Sequence, residues 1–307
     1  MHKTPSRWIH VEPGSFDPWR VQAVRHSLME HPLLQLEKIA ELGKRREAQG
    51  KVRSHSDQAT AATPFNEAPK LHPNRKLAPL TLDQIENAKA WMSLLDIQTD
   101  PEYRQLVDEV LDDVRPVVEA KDHRMGYRAG WIFVTSPNAI TPFHMDSEHN
   151  FIMQVMGRKR LYVWDPHDRE AVSHEGLEKF HTLHSRDLVR FSEALRSRAT
   201  VFDLEPGMGG YMPSTSPHMV ENGDNPSVTV SFTYYTDSTR RRELLYKANH
   251  KIRGLGIDPS PVGASVVRDS LVHAGMRTFV ESKNVLKRIL GRQVTSPSQR
   301  YAEAIYT

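Results

Sequence analysis

Cysteine is missing from all 307 residues. That absence removes disulfides, thiolate metal sites and cysteine nucleophiles together, so any metal must be held by histidine, carboxylate or water. No run of about 18 apolar residues occurs, and no membrane-spanning helix is expected. The N-terminal stretch Met1-His2-Lys3-Thr4-Pro5-Ser6-Arg7-Trp8 lacks an apolar core, which argues against a secretory signal. Together these absences lead to the expectation of a reducing, cytoplasmic compartment. An excess of one charge is also lacking. Lys and Arg number 41 against 38 Asp and Glu, a formal net charge of +3, with the two signs interleaved along most of the chain. Basic residues do not gather on one predicted face, and no helix-turn-helix or zinc-finger spacing is found, so a nucleic-acid partner is not expected. There is no internal repeat and no low-complexity tract.

What is present divides by periodicity. Leu33, Leu36, Ile39, Ala40 and Leu42 recur at helical spacing, with Lys44-Arg45-Arg46 in the last turn before Gly50. Residues 51–80 are polar and read as a long loop, of the kind that forms a lid or binding arm. A helix is predicted over 81–95 from Leu82, Ile85, Ala88 and Met92. Asp100-Pro101 supplies an N-cap and a first-turn proline for another helix, which Pro116 is expected to end. From residue 129 to 236 the pattern changes to short β-rich segments. The candidates are 130–135, 142–146, 151–156, 159–164, 200–204, 210–212 and 228–235, separated by Gly, Pro and Asn turns. So many short strands indicate a sandwich or barrel. Residues 166–199 look charged, and helical or irregular. A C-terminal apolar pattern over 266–290 predicts helix, with Gly275 expected to divide it. The resulting division is a helical N-terminal extension (1–128), a β core (129–240) and a C-terminal helical region (241–307).

The chemistry concentrates in Thr141-Pro142-Phe143-His144-Met145-Asp146, answered downstream by Pro217-His218. Alternate residues of a strand share a face, so His144 and Asp146 can reach one ion while Met145 points away. His218, on a distant segment, can complete the set. Two neutral imidazoles and one carboxylate with vacant positions opposite are the ligands that non-haem Fe(II) uses to activate oxygen. His174, His181 and His184 lie in charged, non-strand sequence and read as surface residues.

The segment from Thr141 through His144, Asp146, Asn150, Gln154 and Gly157 to Lys159 resembles the cupin-like, JmjC-type branch of the Fe(II)/2-oxoglutarate oxygenases. It is similar to the asparaginyl hydroxylase that inhibits hypoxia-inducible factor, and more similar still to a bacterial cupin-like group. The resemblance implies a mainly β fold, a double-stranded β-helix (cupin or jelly-roll) core with helical extensions. It implies Fe(II) held by His144, Asp146 and His218. It also implies a 2-oxoglutarate site with Lys159 facing the distal carboxylate and Thr141, Asn150 and Ser231 as polar neighbours. Ser231 stands where the asparaginyl hydroxylase has Asn. Met208 and the approach Ser214-Thr215-Ser216-Pro217 also depart from relatives, which weakens any transfer of substrate.

The activity implied is hydroxylation or demethylation at an unactivated C–H of a protein side chain or small metabolite. Oxygen is consumed, and succinate and CO2 are released. The alternative is a non-catalytic cupin-like sensor of metal or ligand with a regulatory role. A DNA-binding reading is the weakest. Residues 51–80 and 166–199 are expected to shape the entrance, and the C-terminal helix either packs on its own barrel or pairs two copies as a homodimer.

Overall fold

In the computed structural model of the chain, residues 8–11 and 14–291 are described. In chain order the strands are β1 (Ile9–His10), β2 (Gln22–His26), β3 (Val52–Ser56), β4 (Ala90–Leu94), β5 (Gly126–Thr135), β6 (Ile140–His144), β7 (His149–Met156), β8 (Lys159–Val163), β9 (Thr200–Leu204), β10 (Met208–Met212), β11 (His218–Asn222) and β12 (Ser227–Tyr235). The α-helices are α1 (Leu36–Ala48), α2 (Ala68–Leu71), α3 (Ala78–Asp83), α4 (Pro101–Glu119), α5 (His174–Leu183), α6 (Glu193–Arg196), α7 (Asp237–Gly254) and α8 (Val266–Ile289). The strands form two sheets. The larger runs β1-β2-β10-β7-β12-β5-β4-β3 and the smaller runs β6-β11-β8-β9. The fold is therefore mainly β with flanking helices, a jelly-roll core of two facing sheets.

β12 shows why the sheets stack as they do. Val228, Val230, Phe232 and Tyr234 alternate with Thr229, Ser231 and Thr233, and all seven are buried. The apolar set faces outward, into one core with Leu106, Val110, Leu111 and Val114 of α4. Each such side chain contributes about 1.5–3 kcal/mol when fully removed from water. The hydroxyl set faces inward and lines a cavity that also meets the smaller sheet. Covering by α4 thus leaves the polar face of the large sheet pointing into the molecule. The smaller sheet is backed by a second core in which Phe143, Met145 and Trp164 meet Leu177 and Phe180 of α5.

Several elements differ from the sequence reading. The N-terminal 128 residues are not purely helical, because β1 to β4 join the large sheet as its two flanks. The helix expected over 81–95 is instead the end of α3 followed by β4. Pairing with β5 and β3 overrides the helical spacing of the apolar residues there. The expected loop over 51–80 contains β3, α2 and part of α3. β11 is an additional strand, hidden from the pattern by its polar His218, Glu221 and Asn222. Helix α4 continues through Pro116 to Glu119, and α8 runs through Gly275 without a break. His181 is buried, stacked on Tyr246 at 5.3 Å. The Asp100 cap stands as expected, its side chain accepting from the Glu102 amide at 3.2 Å.

The turn joining β7 to β8 depends on Gly157, whose φ of +73° is left-handed and whose missing Cβ would strike the Pro226 carbonyl. Gly157→Ala should therefore destabilise the fold by at least about 1 kcal/mol, read as a lowered midpoint in chemical denaturation.

Candidate active site

The site is organised by one rung of the smaller sheet. Antiparallel pairing of β6 with β11 places His144 directly opposite His218. Their rings approach to 4.1 Å between centroids. The register slips between His218 and Val220, and such a bulge re-aims side chains. Asp146 lies two residues past the end of β6, in the connection to β7, so it is not on the strand with His144 as the H-x-D spacing suggested. Its side chain nevertheless turns to the same place. Asp146 Oδ2 lies 3.8 Å from His144 Nε2 and 3.8 Å from His218 Nε2. Met145 points away into the core behind the sheet, as expected.

The three side chains fit a divalent metal. One ligand atom from each falls within 4.8 Å of the others. Each imidazole uses Nδ1 to donate to a backbone carbonyl, His144 to Pro142 at 2.8 Å and His218 to Ser216 at 3.1 Å. That fixes the tautomer and leaves both Nε2 lone pairs facing the carboxylate. Burial, with the neighbouring His218, holds His144 well below the ordinary histidine pKa, and burial also lowers that of His218. Both are therefore neutral at neutral pH, as metal ligation requires.

The surrounding residues hold this geometry. Arg186 donates to Asp146 Oδ1 at 3.0 Å, to the Met145 carbonyl at 3.0 Å and to Asn66 Oδ1 at 3.0 Å. It therefore occupies one carboxylate oxygen and leaves the other turned to the histidines. The Phe65 ring lies flat on His144, with centroids 3.7 Å apart and planes at 4°. The Arg53 guanidinium covers the same phenylalanine at 4.1 Å. The arm carrying Phe65 is joined to the β6 edge through the Phe143 amide, which donates to the Ala61 carbonyl at 3.0 Å. Both segments expected to shape the entrance thus reach the site, through Phe65 and Arg186. Neither residue was identifiable in advance, because each sits in polar sequence that reads as surface.

Behind the cluster lies a cavity with both sheets contributing to its walls. Lys159, Thr141, Asn150 and Ser231 all line it. Thr141 Oγ1 accepts from the Trp91 indole at 2.7 Å, and Ser231 donates to Asn150 Oδ1. Lys159 is buried, and burial alone depresses its pKa to about 7. No salt bridge or side-chain hydrogen bond joins it to another of the described residues. Glu148, another wall residue absent from the sequence reading, is also buried. Desolvation, reinforced by Asp146, raises its carboxyl to about 8.

The family model for the cupin-like domain matches residues 21–240. Over 108 residues the chain is 30% identical to HSPB1-associated protein 1 of Rattus norvegicus, a match spanning 33% of this chain and 22% of that protein. The bovine protein of the same name is 29% identical over 108 residues, again 22% of its length. Among solved structures, the chain is similar to Escherichia coli YcfD, with a TM-score of 0.46 and 16% identity over 87% of this chain and 66% of that one. The complex of YcfD, a ribosomal oxygenase, with cobalt and 2-oxoglutarate aligns with a TM-score of 0.44 and 16% identity, covering 85% and 63% of the two chains.

Arg186 orients the carboxylate of the cluster, so Arg186→Met should weaken Mn(II) binding by about tenfold to a hundredfold. Arg186→Lys should recover only part of it, because an ammonium lacks the planar fork that reaches three acceptors. Free Mn(II) measured by electron paramagnetic resonance checks both.

Proposed function

Because the chain belongs to the cupin-like domain family, and because a buried lysine without a partner among the described residues shares a cavity with a His–Asp–His cluster, we propose that it is an Fe(II)- and 2-oxoglutarate-dependent dioxygenase. Lys159 is the observation that carries this reading. A buried ammonium that ends in a cavity unpaired is costly unless an anion arrives to meet it. A sensor of metal alone has no use for such a cation at the opposite end of the cavity.

The pairing register supports this arrangement of the parts. His218 is level with Val163, whereas Lys159 is level with Asn222, four rungs further along the same pair of strands. A short dicarboxylate can extend from the metal cluster inward to Lys159, with Thr141, Asn150 and Ser231 along its flank. His144, Asp146 and His218 would hold Fe(II), three ligands that leave the opposite side for oxoacid and oxygen. Bound there, the iron supplies the electrons that let dioxygen react with the oxoacid. The chain's own residues bind, orient and exclude water. In the overall reaction, 2-oxoglutarate, O2 and R–H give succinate, CO2 and R–OH. One oxygen atom enters the succinate carboxylate and the other enters the product. If the oxidised carbon is attached to nitrogen, the product loses it as formaldehyde, and the outcome is demethylation.

The substrate is a protein side chain or a small metabolite, and dependence on 2-oxoglutarate is in keeping with a cytoplasmic setting. No helix among the described residues is long and apolar enough to cross a membrane. A second copy of the chain is the partner that the apolar face of α8 suits. Leu271, Phe279, Leu286 and Ile289 are all more than half exposed there, more apolar surface than an isolated helix normally leaves in water. Light scattering that finds only monomer would remove the homodimer from this reading.

The whole proposal is tested by adding Fe(II) and 2-oxoglutarate anaerobically and recording the visible spectrum, then admitting oxygen and assaying succinate. A charge-transfer band followed by succinate supports it, and neither signal sinks it. Lys159→Met should weaken 2-oxoglutarate binding about 30-fold, on the order of 2 kcal/mol, as measured by calorimetry. The same change removes a buried charge, so thermal stability should hold or rise.

The pH dependence follows from the lysine. Without the cosubstrate it titrates near 7. A bound carboxylate favours the ammonium and raises that value. Binding above pH 7 should therefore take up a proton, and affinity should fall by up to about tenfold per pH unit as pH rises above 7, until the pKa of the bound form is passed. Calorimetry in two buffers of different ionisation enthalpy measures that proton directly.

A further inference from the structure

His144 and His218 are buried, and the segment lying over His144 is thinly anchored. Residues 57–67 leave β3 and return at α2. Their base is tied by two backbone bonds, from the Ser56 amide to the His72 carbonyl at 2.7 Å and from the Asp57 amide to the Lys89 carbonyl at 2.9 Å. Beyond that base, Gln58, Thr60, Ala62, Pro64, Asn66 and Glu67 are exposed. The buried apolar side chains between Asp57 and Glu67 are the small Ala59 and Ala61. A local turn, in which the Thr63 amide donates to the Thr60 carbonyl at 3.1 Å, closes the arm on itself. Segments that bury so little apolar surface are the ones that open locally at small cost.

At the tip of the arm, two contacts lead to the metal ligands. Phe65 lies flat on the His144 ring, with centroids 3.7 Å apart. The Arg53 guanidinium sits over the same phenyl ring at 4.1 Å. Two groups that close cannot share one face, so Phe65 is sandwiched between imidazole and guanidinium. Beside it, Asn66 accepts from one terminal nitrogen of Arg186, and the other donates to Asp146 Oδ1, each at 3.0 Å. A shut arm therefore holds one ligand through Phe65 and steadies another through Arg186. The first contact depends on the ion. A divalent metal coordinated through Nε2 draws electron density out of the His144 ring, and the electron-rich face of Phe65 attracts a ring left positive more strongly. Phe65, Arg53 and Arg186 line the cavity and are only partly buried, so the arm stands at its mouth.

We infer that residues 57–67 form a lid, hinged at Asp57 and Ala68, which a divalent ion held by His144, Asp146 and His218 draws shut through Phe65. Phe65 is then a positioning residue for His144, and it couples entry to the cavity to metal loading. An ion that binds the shut form better raises the population of that form, and by the same factor loss of the shut form weakens the ion. Closure of this kind needs the metal cluster but not the oxygenase chemistry proposed for it.

Hydrogen exchange of the full chain, read by mass spectrometry on peptides covering 57–67, tests the lid with and without Mn(II). In wild type the arm should exchange about tenfold more slowly when loaded. Zn(II) should act as Mn(II) does, because the effect depends on charge rather than redox chemistry, and a chelator should reverse it. Exchange in α8, which packs on α7 rather than on the cluster, should be unchanged. Phe65→Leu keeps an apolar cover but has no aromatic face. It should reduce the difference between loaded and empty forms to about twofold or less, and weaken Mn(II) by about the factor lost, as read by electron paramagnetic resonance. Phe65→Tyr keeps the ring and should keep both properties. A merely structural ring would let the leucine variant exchange faster in both forms and leave the difference intact. Should Phe65→Leu fail to fold, Asn66→Ala at an exposed position takes its place and should reduce the difference by about threefold. Equal exchange of the arm with and without metal, slowing shared by α8, or a variant that keeps the full difference overturns the lid. Mn(II) that does not bind removes the cluster and the lid together. Failure of the oxygenase reading shows separately, as absent 2-oxoglutarate binding and succinate, with the metal-dependent exchange still present.

Discussion

Two imidazoles facing each other across a single antiparallel rung cannot both be charged at that separation, and they have little reason to be there unless something electron-poor sits between them. His144 and His218 are in that position, with Asp146 turned toward the pair from the connection that follows β6. The neighbouring structure serves to keep that rung in place. Backbone carbonyls at Pro142 and Ser216 fix the ring tautomers, Phe65 fixes the plane of one ring, and Arg186 fixes the carboxylate. Because Arg186 also holds Asn66, the arm bearing Phe65 and the segment between β8 and β9 meet at the carboxylate itself. Loss of any one of these contacts would loosen the cluster without removing a ligand.

A second constraint comes from the large sheet. Its central strands are covered by α4 on one face and look onto the cavity and the smaller sheet on the other. Its alternating pattern would ordinarily place hydroxyls outside and aliphatic groups inside. Here the aliphatic face lies under helix and the hydroxyl face lines the cavity. The interior is consequently rich in Ser, Thr and Asn, a lining that can bind a polar cosubstrate but needs each hydroxyl satisfied. Most are paired among themselves, as Ser231 is with Asn150 and Thr229 with Gln154. Among the described residues, the lining atoms left without a hydrogen-bond partner include Ser93 Oγ, Glu148 Oε1 and Thr233 Oγ1.

The legibility of the chain was uneven for identifiable reasons. His144 and Asp146 were suggested by their spacing within a strand series, and the family resemblance joined them to the distant His218 and implied Lys159. The core strands from β5 to β12 were visible from alternation and turn residues, β11 excepted. The helical reading of 81–95 failed because Leu82, Ile85, Ala88 and Met92 satisfy a helical stripe, while β4 forms only through hydrogen bonds to β3 and β5. Arg186, Phe65 and Glu148 were invisible because a charged or aromatic residue in polar sequence has the same local signature whether it faces solvent or a site.

By itself, then, the sequence indicated a β core through short-range periodicity, which a linear string preserves, and its family resemblance implied the ligand set and Lys159. Tertiary structure alone decided that the hydroxyl face of β12 points inward, that Arg186 anchors Asp146 and that Glu148 lines the cavity with one oxygen unpartnered among the described residues. Those facts depend on which surfaces are taken out of water, and desolvation is set by packing between segments far apart in the chain.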